Sequence, residues 1–341
     1  MLANILVEPG MIEQQEITIP SISAGEVLVK IKAALTCGTD LKAFRRGHPL
    51  MPMPTVFGHE FSGDIVDIGD RVTEFNAGES VMAVHTAPCG VCSVCERHLE
   101  NLCPTMMENK ILGAYAEYIR VPEAIVQRNL YSKPDHLPYR EAAILEPLAC
   151  VVYGMEQTNL LPGDTVVILG AGAIGLLHVM VAKAMGAGRV IVSGHHEYRL
   201  DLARQVGADV AFDSTSSDAI DRIADETAGE GAPLVIECTG QPSVWESATF
   251  MASRGGTVIL FGGCPSGSTV TFDTSRLHYD QITLKGVFHF TPEAVRAARD
   301  LLCAGKINVS PLITADRPLS DLPLVFEDLM KGDCVKFALI P

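Results

Sequence analysis

Two short segments of the sequence carry the side chains that a catalytic zinc ion requires. Cys37 begins the segment Cys37-Gly38-Thr39-Asp40, and the pair His59-Glu60 follows Gly58. A thiolate, an imidazole and a carboxylate can provide three zinc ligands and leave a fourth position open for water or substrate. Adjacent His and Glu are common by chance, so a solvated loop next to a buried free cysteine is the alternative interpretation.

Four further cysteines have the spacing of a second, different metal site. Cys89, Cys92 and Cys95 are separated by two residues each, and Cys103 follows after a short loop. Such gaps allow the thiolates to close a tetrahedral shell, which leaves no position for substrate. The spacing therefore predicts a structural zinc in a lobe at 86–105, which would contribute on the order of 10 kcal/mol to ordering it. Free or disulfide-paired cysteines, or a redox switch, are the alternatives.

A glycine-rich turn in the second half of the chain has the pattern of a dinucleotide-binding loop. The β-branched run 165–169 predicts a buried strand, and Gly170-Ala171-Gly172-Ala173-Ile174-Gly175 leads from it into an apolar helix that ends near residue 185. The first glycine permits the turn, the second admits a pyrophosphate, and the third allows close helix–strand packing. Glycine-rich packing without a ligand is the alternative.

The rest of the chain divides into a β-rich half and an alternating half. Short alternating runs separated by Pro and Gly predict a barrel-like β domain over about the first 145 residues. Beyond residue 165 the predicted strands alternate with helices, which indicates an α/β fold with a doubly wound parallel sheet. The predicted strands are 189–193, 209–212, 234–237, 257–261 and 282–287, and the predicted helices are 197–206, 218–227, 243–252 and 292–304.

The end of the second strand of this sheet lacks the carboxylate expected to bind the adenosine ribose. Gly194 occupies the position, about 20 residues after the glycines, where NAD-binding chains carry Asp or Glu. A glycine leaves room, and His195, His196 and Arg199 can meet a 2′-phosphate, which weakly favours NADP over NAD. Glu197 as the missing carboxylate, or solvated histidines, are alternatives.

Composition limits the class of protein. The 341 residues are 48% hydrophobic and 20% charged, with a net charge of −15, which argues against a nucleic-acid partner. The longest apolar stretch, 166–182, is interrupted by glycines and His178, so we expect no membrane span. The first residues lack a basic segment followed by an apolar run, so we expect no secretory signal and a cytoplasmic protein.

With these motifs in order, the chain resembles the zinc-dependent medium-chain dehydrogenases/reductases, nearest the sorbitol and threonine dehydrogenase branch. The resemblance spans essentially the full length and also includes Glu146-Pro147 and Glu237-Cys238-Thr239-Gly240. It implies a GroES-like catalytic domain at 1–148 and a Rossmann domain at 149–288. A C-terminal segment, 289–341, would return to the catalytic domain, with the active-site cleft between the two domains.

The resemblance also implies roles for individual residues. Cys37, His59 and Glu60 would bind the catalytic zinc, and Glu146 would either ligate the metal or contact its water. Thr39 would pass the alcohol proton outward. Gly170, Gly172 and Gly175 would hold the pyrophosphate, with Thr239 and Gly263 next to the nicotinamide half. Relatives of this kind commonly form homodimers or homotetramers.

These features together predict an enzyme with two zinc ions per chain that transfers a hydride between a secondary alcohol, a polyol or diol, and NAD(P). Oxidation of a 3-hydroxy amino acid, as by L-threonine 3-dehydrogenase, is an alternative substrate assignment. A non-catalytic dinucleotide-binding sensor is an alternative of another class, and a zinc hydrolase is disfavoured by the glycine-rich unit. The identity of the alcohol stays open.

Overall fold

The computed structural model describes residues 1–49, 51–214 and 219–341. The chain forms two compact units. The first comprises residues 1–149 together with 290–341, and the second comprises residues 150–289.

The first unit is mainly β, as predicted. Its strands up to residue 132 are β1 (Leu2–Glu8), β2 (Met11–Glu16), β3 (Val27–Leu35), β4 (Thr55–Val56), β5 (Glu60–Ile68), β6 (Ser80–Ala83), β7 (Tyr118–Val121) and β8 (Leu130–Ser132). Its helices are α1 (Gly38–Arg46), α2 (Glu123–Asn129) and α3 (Tyr139–Ala142), and α4 (Leu145–Glu156) begins in this unit and continues into the second.

The second unit alternates strands and helices. Its strands are β9 (Thr165–Leu169), β10 (Arg189–Gly194), β11 (Val210–Asp213), β12 (Ala232–Glu237), β13 (Ala252–Leu260) and β14 (Thr283–Gly286), and its helices are α5 (Ala173–Ala184), α6 (Glu197–Gln205), α7 (Ala219–Glu226), α8 (Pro242–Met251) and α9 (Thr274–Tyr279). The chain then returns to the first unit with α10 (Pro292–Cys303), β15 (Ile313–Pro318), α11 (Leu322–Lys331) and β16 (Lys336–Ile340).

The main sheet of the first unit brings three distant strand termini together. Its order is β15-β16-β3-β5-β6-β8, with β7 also paired to β3. In the antiparallel register, Leu35 at the end of β3 lies opposite Glu60 at the start of β5 and next to Ala338 in β16. The residues just after β3, those at the start of β5 and those at the start of β16 therefore meet at one place. The core beneath them contains Phe57, Phe61 and Phe326, all fully buried.

The sheet of the second unit confirms the predicted doubly wound α/β fold. Its strand order is β11-β10-β9-β12-β13-β14, and every adjacent pair is parallel. The first strand therefore lies beside both the second and the fourth, which is the Rossmann order, and dinucleotides bind at that reversal, outside the carboxyl ends of the strands. The buried β-branched residues Val166, Val167 and Ile168 account for the central position of β9.

The predicted elements of this unit differ from the observed ones at their ends, and α9 was not predicted. Strand β13 begins at Ala252, where the sequence predicted the last residue of a helix. The predicted helix 218–227 begins at a residue outside the described ranges, and α7 is observed at Ala219–Glu226. Among the residues that the structure describes, no helix is long and apolar enough to span a bilayer.

Candidate functional site

Cys37, His59 and Glu60 lie close enough together to share one metal ion. Their candidate ligand atoms, a sulfur, a ring nitrogen and a carboxylate oxygen, lie within 4.8 Å of one another. Cys37 is the N-cap of α1 and its sulfur accepts a hydrogen bond from the backbone N–H of Thr39 at 3.4 Å. Cysteine binds zinc through its sulfur as a thiolate. Donor set and spacing thus fit a catalytic zinc.

The imidazole of His59 is oriented by a buried chain of polar groups. Its Nδ1 lies 3.2 Å from Oδ1 of Asp40, and the hydroxyl of Tyr115 donates a 2.7 Å hydrogen bond to Oδ2 of the same carboxylate. All three side chains are buried. A carboxylate at one ring nitrogen fixes the tautomer and leaves the other nitrogen, Nε2, as the metal ligand.

These neighbours also change the proton affinity of His59. Burial alone would lower its pKa, but the charges of Asp40 and Cys37 outweigh burial and raise the pKa well above its usual value. In the absence of a metal, these charges therefore favour the protonated, cationic form of the His59 imidazole.

Gly58 is required by its backbone conformation and by the close approach of Tyr115. Its φ is +86°, in the left-handed region that favours glycine. A Cβ at this position would lie 2.7 Å from the Tyr115 ring, too close for any contact. Because Gly58 has no side chain, the Tyr115 ring can pack against it while the Tyr115 hydroxyl reaches Asp40.

Glu60 makes a buried ion pair that the sequence did not indicate. The Nζ of Lys336 donates to both carboxylate oxygens, at 2.7 and 2.6 Å, and to the carbonyl oxygen of Thr36 at 2.8 Å. Burial alone would lower the pKa of Lys336, but the charge of Glu60 outweighs it and the pKa is raised. Because both oxygens of Glu60 are engaged, a zinc ion at this position would compete with Lys336 for the carboxylate.

Glu146 lies beside a histidine rather than within the three-residue cluster. Its Oε1 is 3.5 Å from Nδ1 of His85, and the ring of His85 packs against that of His59 with centroids 4.8 Å apart. Both Glu146 and His85 are largely buried, with side chains 8% and 13% exposed. Glu146 is therefore linked to His59 through the ring of His85.

The four lobe cysteines have the geometry of a tetrahedral thiolate site. All four sulfurs lie within 4.8 Å of one another. Three pairs are 3.5, 3.9 and 4.0 Å apart. Tetrahedral ligands at the usual Zn–S distance would be about 3.8 Å apart. In the described ranges no disulfide joins the cysteines, so the disulfide alternative finds no support for Cys89, Cys92, Cys95 and Cys103.

Hydrogen bonds to sulfur prepare the lobe for a cation. Cys103 accepts from the backbone N–H of Cys89 at 3.4 Å, and such bonds lower its pKa to about 6 although burial acts in the opposite direction. For Cys95, burial and the neighbouring thiols raise the pKa to about 12. Four thiolates in this space therefore require a cation to neutralise them.

The glycine-rich loop has one open position and one tightly packed position. Gly170 has φ +112° and connects β9 to the loop, while Gly172 is the N-cap of α5 with no atom within 4 Å of its missing side chain. A Cβ at Gly175 would lie 1.8 Å from the carbonyl oxygen of Gly170. Ala173 and Ile174 form the first helical turn, whose N–H groups can receive a phosphate.

An acidic residue at the end of β11 lies beside His195, which follows β10. Nδ1 of His195 is 3.5 Å from Oδ1 of Asp213, the last residue of the adjacent strand β11. Arg199 lies in the first turns of α6. A Cβ at Gly194 would lie 2.6 Å from that of Ala171, so packing against the glycine-rich loop is a sufficient reason for a glycine here.

Two further loops at the carboxyl ends of the strands contain Thr239 and Gly263. Glu237, fully buried at the end of β12, accepts hydrogen bonds from the backbone and hydroxyl of Thr239 and from the backbone of Gly240. Gly263 has no atom within 4 Å of its missing side chain. Glu237 thus holds the loop after β12 in a defined shape.

Sequence reasoning assigned no role to His85, Tyr115, Asp213 or Lys336. Asp40 was quoted only as part of the motif around Cys37. Asp40 had a usable signal, because a carboxylate near a candidate ligand histidine commonly orients it. Lys336 had none, since it is 276 residues from Glu60 and reaches it only through the pairing of β16 with β3.

Comparison with known proteins agrees with this arrangement. Residues 23–134 match the alcohol dehydrogenase GroES-like domain, and residues 173–304 match the zinc-binding dehydrogenase family. The chain is 36% identical to an L-threonine 3-dehydrogenase of Bacillus licheniformis over 98% of this chain and 96% of that protein. It is 29% identical to a sorbitol dehydrogenase of Bacillus subtilis over 100% and 97%. A solved structure from Sinorhizobium meliloti with bound NADP shares 31% identity and a TM-score of 0.92 over 100% and 99%.

Fold, site and comparisons define a zinc-dependent dehydrogenase with a GroES-like catalytic part and a Rossmann part. The predicted fold class is confirmed. The chain belongs to the zinc-dependent medium-chain dehydrogenase/reductase family, among the zinc-type alcohol and polyol oxidoreductases.

Proposed function

We propose that this protein transfers a hydride between a secondary alcohol, a polyol or diol, and NAD(P). The observation that carries the proposal is the convergence of Cys37, His59 and Glu60 at one place in a chain that also carries an open glycine-rich loop at Gly172. The first unit would act as the catalytic domain and the second as the dinucleotide-binding domain, with boundaries near residues 148 and 288.

The proposed ligands of the catalytic zinc are Cys37, His59 and Glu60, with Glu146 as a further ligand or a contact of its water. The four lobe cysteines are the proposed ligands of a structural zinc. A bound catalytic zinc acts as a Lewis acid, lowering the pKa of a bound hydroxyl in the way it lowers that of water from about 15.7 to about 7. The open position of a three-ligand set would receive the substrate hydroxyl.

The protein's own groups supply orientation and proton transfer in this proposal. Asp40 keeps Nδ1 of His59 engaged, so that the ring presents Nε2. Thr39, which is exposed at the start of α1, would accept the alcohol proton on its hydroxyl and pass it outward. Lys336 pairs with Glu60, so a zinc ion held by this carboxylate would share it with the ammonium group or displace it. Removal of the proton leaves the carbinol carbon able to release a hydride to the nicotinamide ring.

The dinucleotide would lie along the carboxyl ends of the parallel strands. Gly170, Gly172 and Gly175, with Ala173 and Ile174, would receive the pyrophosphate at the N-terminus of α5. Thr239 and Gly263 would lie next to the nicotinamide half. The expected preference for NADP, which depends on Gly194, His195 and Arg199, stays a prediction, and a relative with bound NADP is compatible with it.

A 3-hydroxy amino acid is the second candidate substrate. The relative with 36% identity is an L-threonine 3-dehydrogenase, whereas sorbitol dehydrogenases match at 29% and 32% and a D-arabitol-phosphate dehydrogenase at 32%. A substrate panel that includes sorbitol, 2,3-butanediol and L-threonine, each run with NAD and with NADP, separates the two candidates.

The proposal is tested by reduced-nicotinamide absorbance in that panel. We expect Cys37→Ser and His59→Ala to abolish turnover and to leave dinucleotide binding unchanged, because the two functions use different residues. Full activity in either variant after metal depletion would contradict the zinc assignment. Nucleotide binding without turnover of any alcohol by the zinc-loaded wild type would favour a sensor.

Location and assembly extend the proposal. Clustered thiols without disulfides suit a reducing compartment, which supports the cytoplasm. Assembly as a homodimer or homotetramer follows from the family resemblance alone.

A further inference from the structure

Strand β11 ends in a carboxylate beside the end of β10, where β10 itself has a glycine. Gly194 ends β10 and Asp213 ends β11, and the two residues are partners in the parallel register. Both therefore lie at the carboxyl edge of the sheet, the edge at which dinucleotides bind. Asp213 is 40% exposed at its side chain and so is accessible from solvent.

In this chain a side chain at position 194 would clash with the glycine-rich loop. A Cβ there would lie 2.6 Å from Cβ and 3.0 Å from the backbone nitrogen of Ala171, which belongs to the glycine-rich loop. While the loop stays this close to β10, a carboxylate at the ribose would come from a neighbouring element in this chain.

We propose that Asp213 is the residue that reads the adenosine ribose and disfavours a 2′-phosphate there. This inference rests on the proposed function as an NAD(P)-dependent enzyme. Its carboxylate accepts a hydrogen bond from a ribose hydroxyl in NAD. The same carboxylate repels the 2′-phosphate of NADP, which carries about −1.5 to −2 charges.

His195 acts in the opposite direction. Its Nδ1 lies 3.5 Å from Oδ1 of Asp213, so a phosphate has to compete with Asp213 for this imidazole. The selectivity of the site is therefore set by two adjacent side chains of opposite tendency, one from β11 and one from the loop after β10. Removal of either should move the ratio of the two cofactor affinities in a defined direction.

The experiment measures nucleotide affinities of the full-length protein by titration calorimetry. NAD and NADP are compared, together with 5′-AMP and 2′,5′-ADP, which differ from each other only by the 2′-phosphate. We expect Asp213→Asn to raise the NADP-to-NAD affinity ratio about tenfold, because the neutral amide no longer repels the 2′-phosphate. His195→Gln should lower the ratio.

Matched variants separate this role from simpler ones. Glu230→Gln removes an exposed acid two residues before β12, at the opposite edge of the sheet, and should leave the ratio unchanged. Asp213→Asn should shift the ratio in the His195→Gln background too, because the carboxylate acts on the nucleotide itself. Asp213→Ser, which also lacks the charge, provides the same test if the Asn variant folds poorly.

Several outcomes would overturn the inference. One is an unchanged ratio in both Asp213 variants, and another is an equal shift in Glu230→Gln. If the change in the affinity ratio disappears in the His195→Gln background, Asp213 only positions His195 and does not act on the nucleotide. In each of these cases the protein still binds dinucleotides, and the proposed function stands. A wild type that binds none of the four nucleotides would overturn both.

Discussion

His59 is presented to the candidate metal position by two residues behind it, Asp40 and Tyr115. The hydroxyl of Tyr115 and Nδ1 of His59 contact different oxygens of the Asp40 carboxylate. Tyr115 thus orients the carboxylate, and the carboxylate orients the imidazole. The three groups are buried, where an unpaired polar atom costs about 1–3 kcal/mol. The arrangement therefore has a single favourable geometry.

We expect Tyr115→Phe to weaken binding of the catalytic zinc. The variant keeps the ring that packs under Gly58 but leaves Oδ2 of Asp40 without its donor. Loss of such a partner typically lowers metal affinity by about 10- to 100-fold. Chelator competition on the whole protein, with zinc counted per chain, measures the effect.

Tyr118→Phe is the control, because Tyr118 lies in β7 on a half-buried surface. It should bind zinc as tightly as the wild type. Equal zinc affinity in the Tyr115 variant and the wild type would show that the hydroxyl has no positioning role.

At the scale of single elements, the zinc lobe and helix α5 depend on different forces. The lobe has short 3₁₀ segments, and its small buried cluster consists of Cys95, Cys103 and Met106, with Cys89 and Cys92 partly buried against it. So little apolar surface cannot order a loop without a metal. Helix α5 is buried along most of its length and contains a histidine, His178, at zero exposure.

We expect Cys103→Ser to act on folding or assembly rather than on chemistry. The closed thiolate shell has no open position for substrate, so loss of one ligand should lower thermal stability and zinc content together. Differential scanning calorimetry and metal analysis check this. Loss of turnover at unchanged thermal stability would contradict the structural assignment.

We expect His178 to destabilise the protein in acid. Its Nδ1 lies 2.9 Å from the carbonyl oxygen of Ile174, and its Nε2 has no hydrogen-bond partner among the described residues. Burial lowers its pKa to about 4 from the usual 6.5. The unfolded chain therefore binds a proton that the folded chain does not, and stability falls as pH decreases from about 6.5 to about 4. The full effect is on the order of 3 kcal/mol.

The thermal midpoint is measured at several pH values from 7.5 to 4.5 for the wild type and for His178→Met. Methionine places an apolar side chain of similar size against Phe261. The variant should lose less stability in acid. His278→Gln, at an exposed histidine, should follow the wild type. Parallel curves for the wild type and His178→Met would refute the prediction.

At the scale of the whole molecule, the proposed metal ligands and the proposed nucleotide-binding residues lie in different units. The first contains Cys37, His59 and Glu60 and the four lobe cysteines, and the second contains the glycine-rich loop and the acidic residue at the end of β11. Because each unit has its own sheet and its own buried core, metal binding and nucleotide binding can be altered independently by mutation.

We expect about two zinc ions per chain in the purified protein, one held by Cys37, His59 and Glu60 and one held by the four lobe thiolates. Chelation should remove the ion of the open site first and abolish turnover before it lowers the thermal midpoint. Metal analysis by mass spectrometry, performed alongside activity, measures both. One zinc per chain, retained in the lobe, would support a nucleotide-binding sensor over an enzyme.

Much of this arrangement was predictable from local patterns. Cysteine spacing indicated the lobe because thiolates two residues apart can reach one cation without help from the rest of the fold. The turn from β9 into α5 was predictable because the glycines are needed within a single strand-to-helix connection. Cys37 and His59-Glu60 were recognised by residue type and family resemblance, and their meeting depends on the pairing of β3 with β5.

By itself the sequence determined the family, the parallel sheet and the two sets of candidate zinc ligands, because those are written in residue types at short separations. Only the tertiary structure decided that Lys336 pairs with Glu60, that Tyr115 supports Asp40, and that Asp213 lies opposite Gly194 at the carboxyl ends of β11 and β10. The reason is physical. Contacts between strands distant in the chain depend on register and on burial of both partners, and no local pattern of residues encodes either.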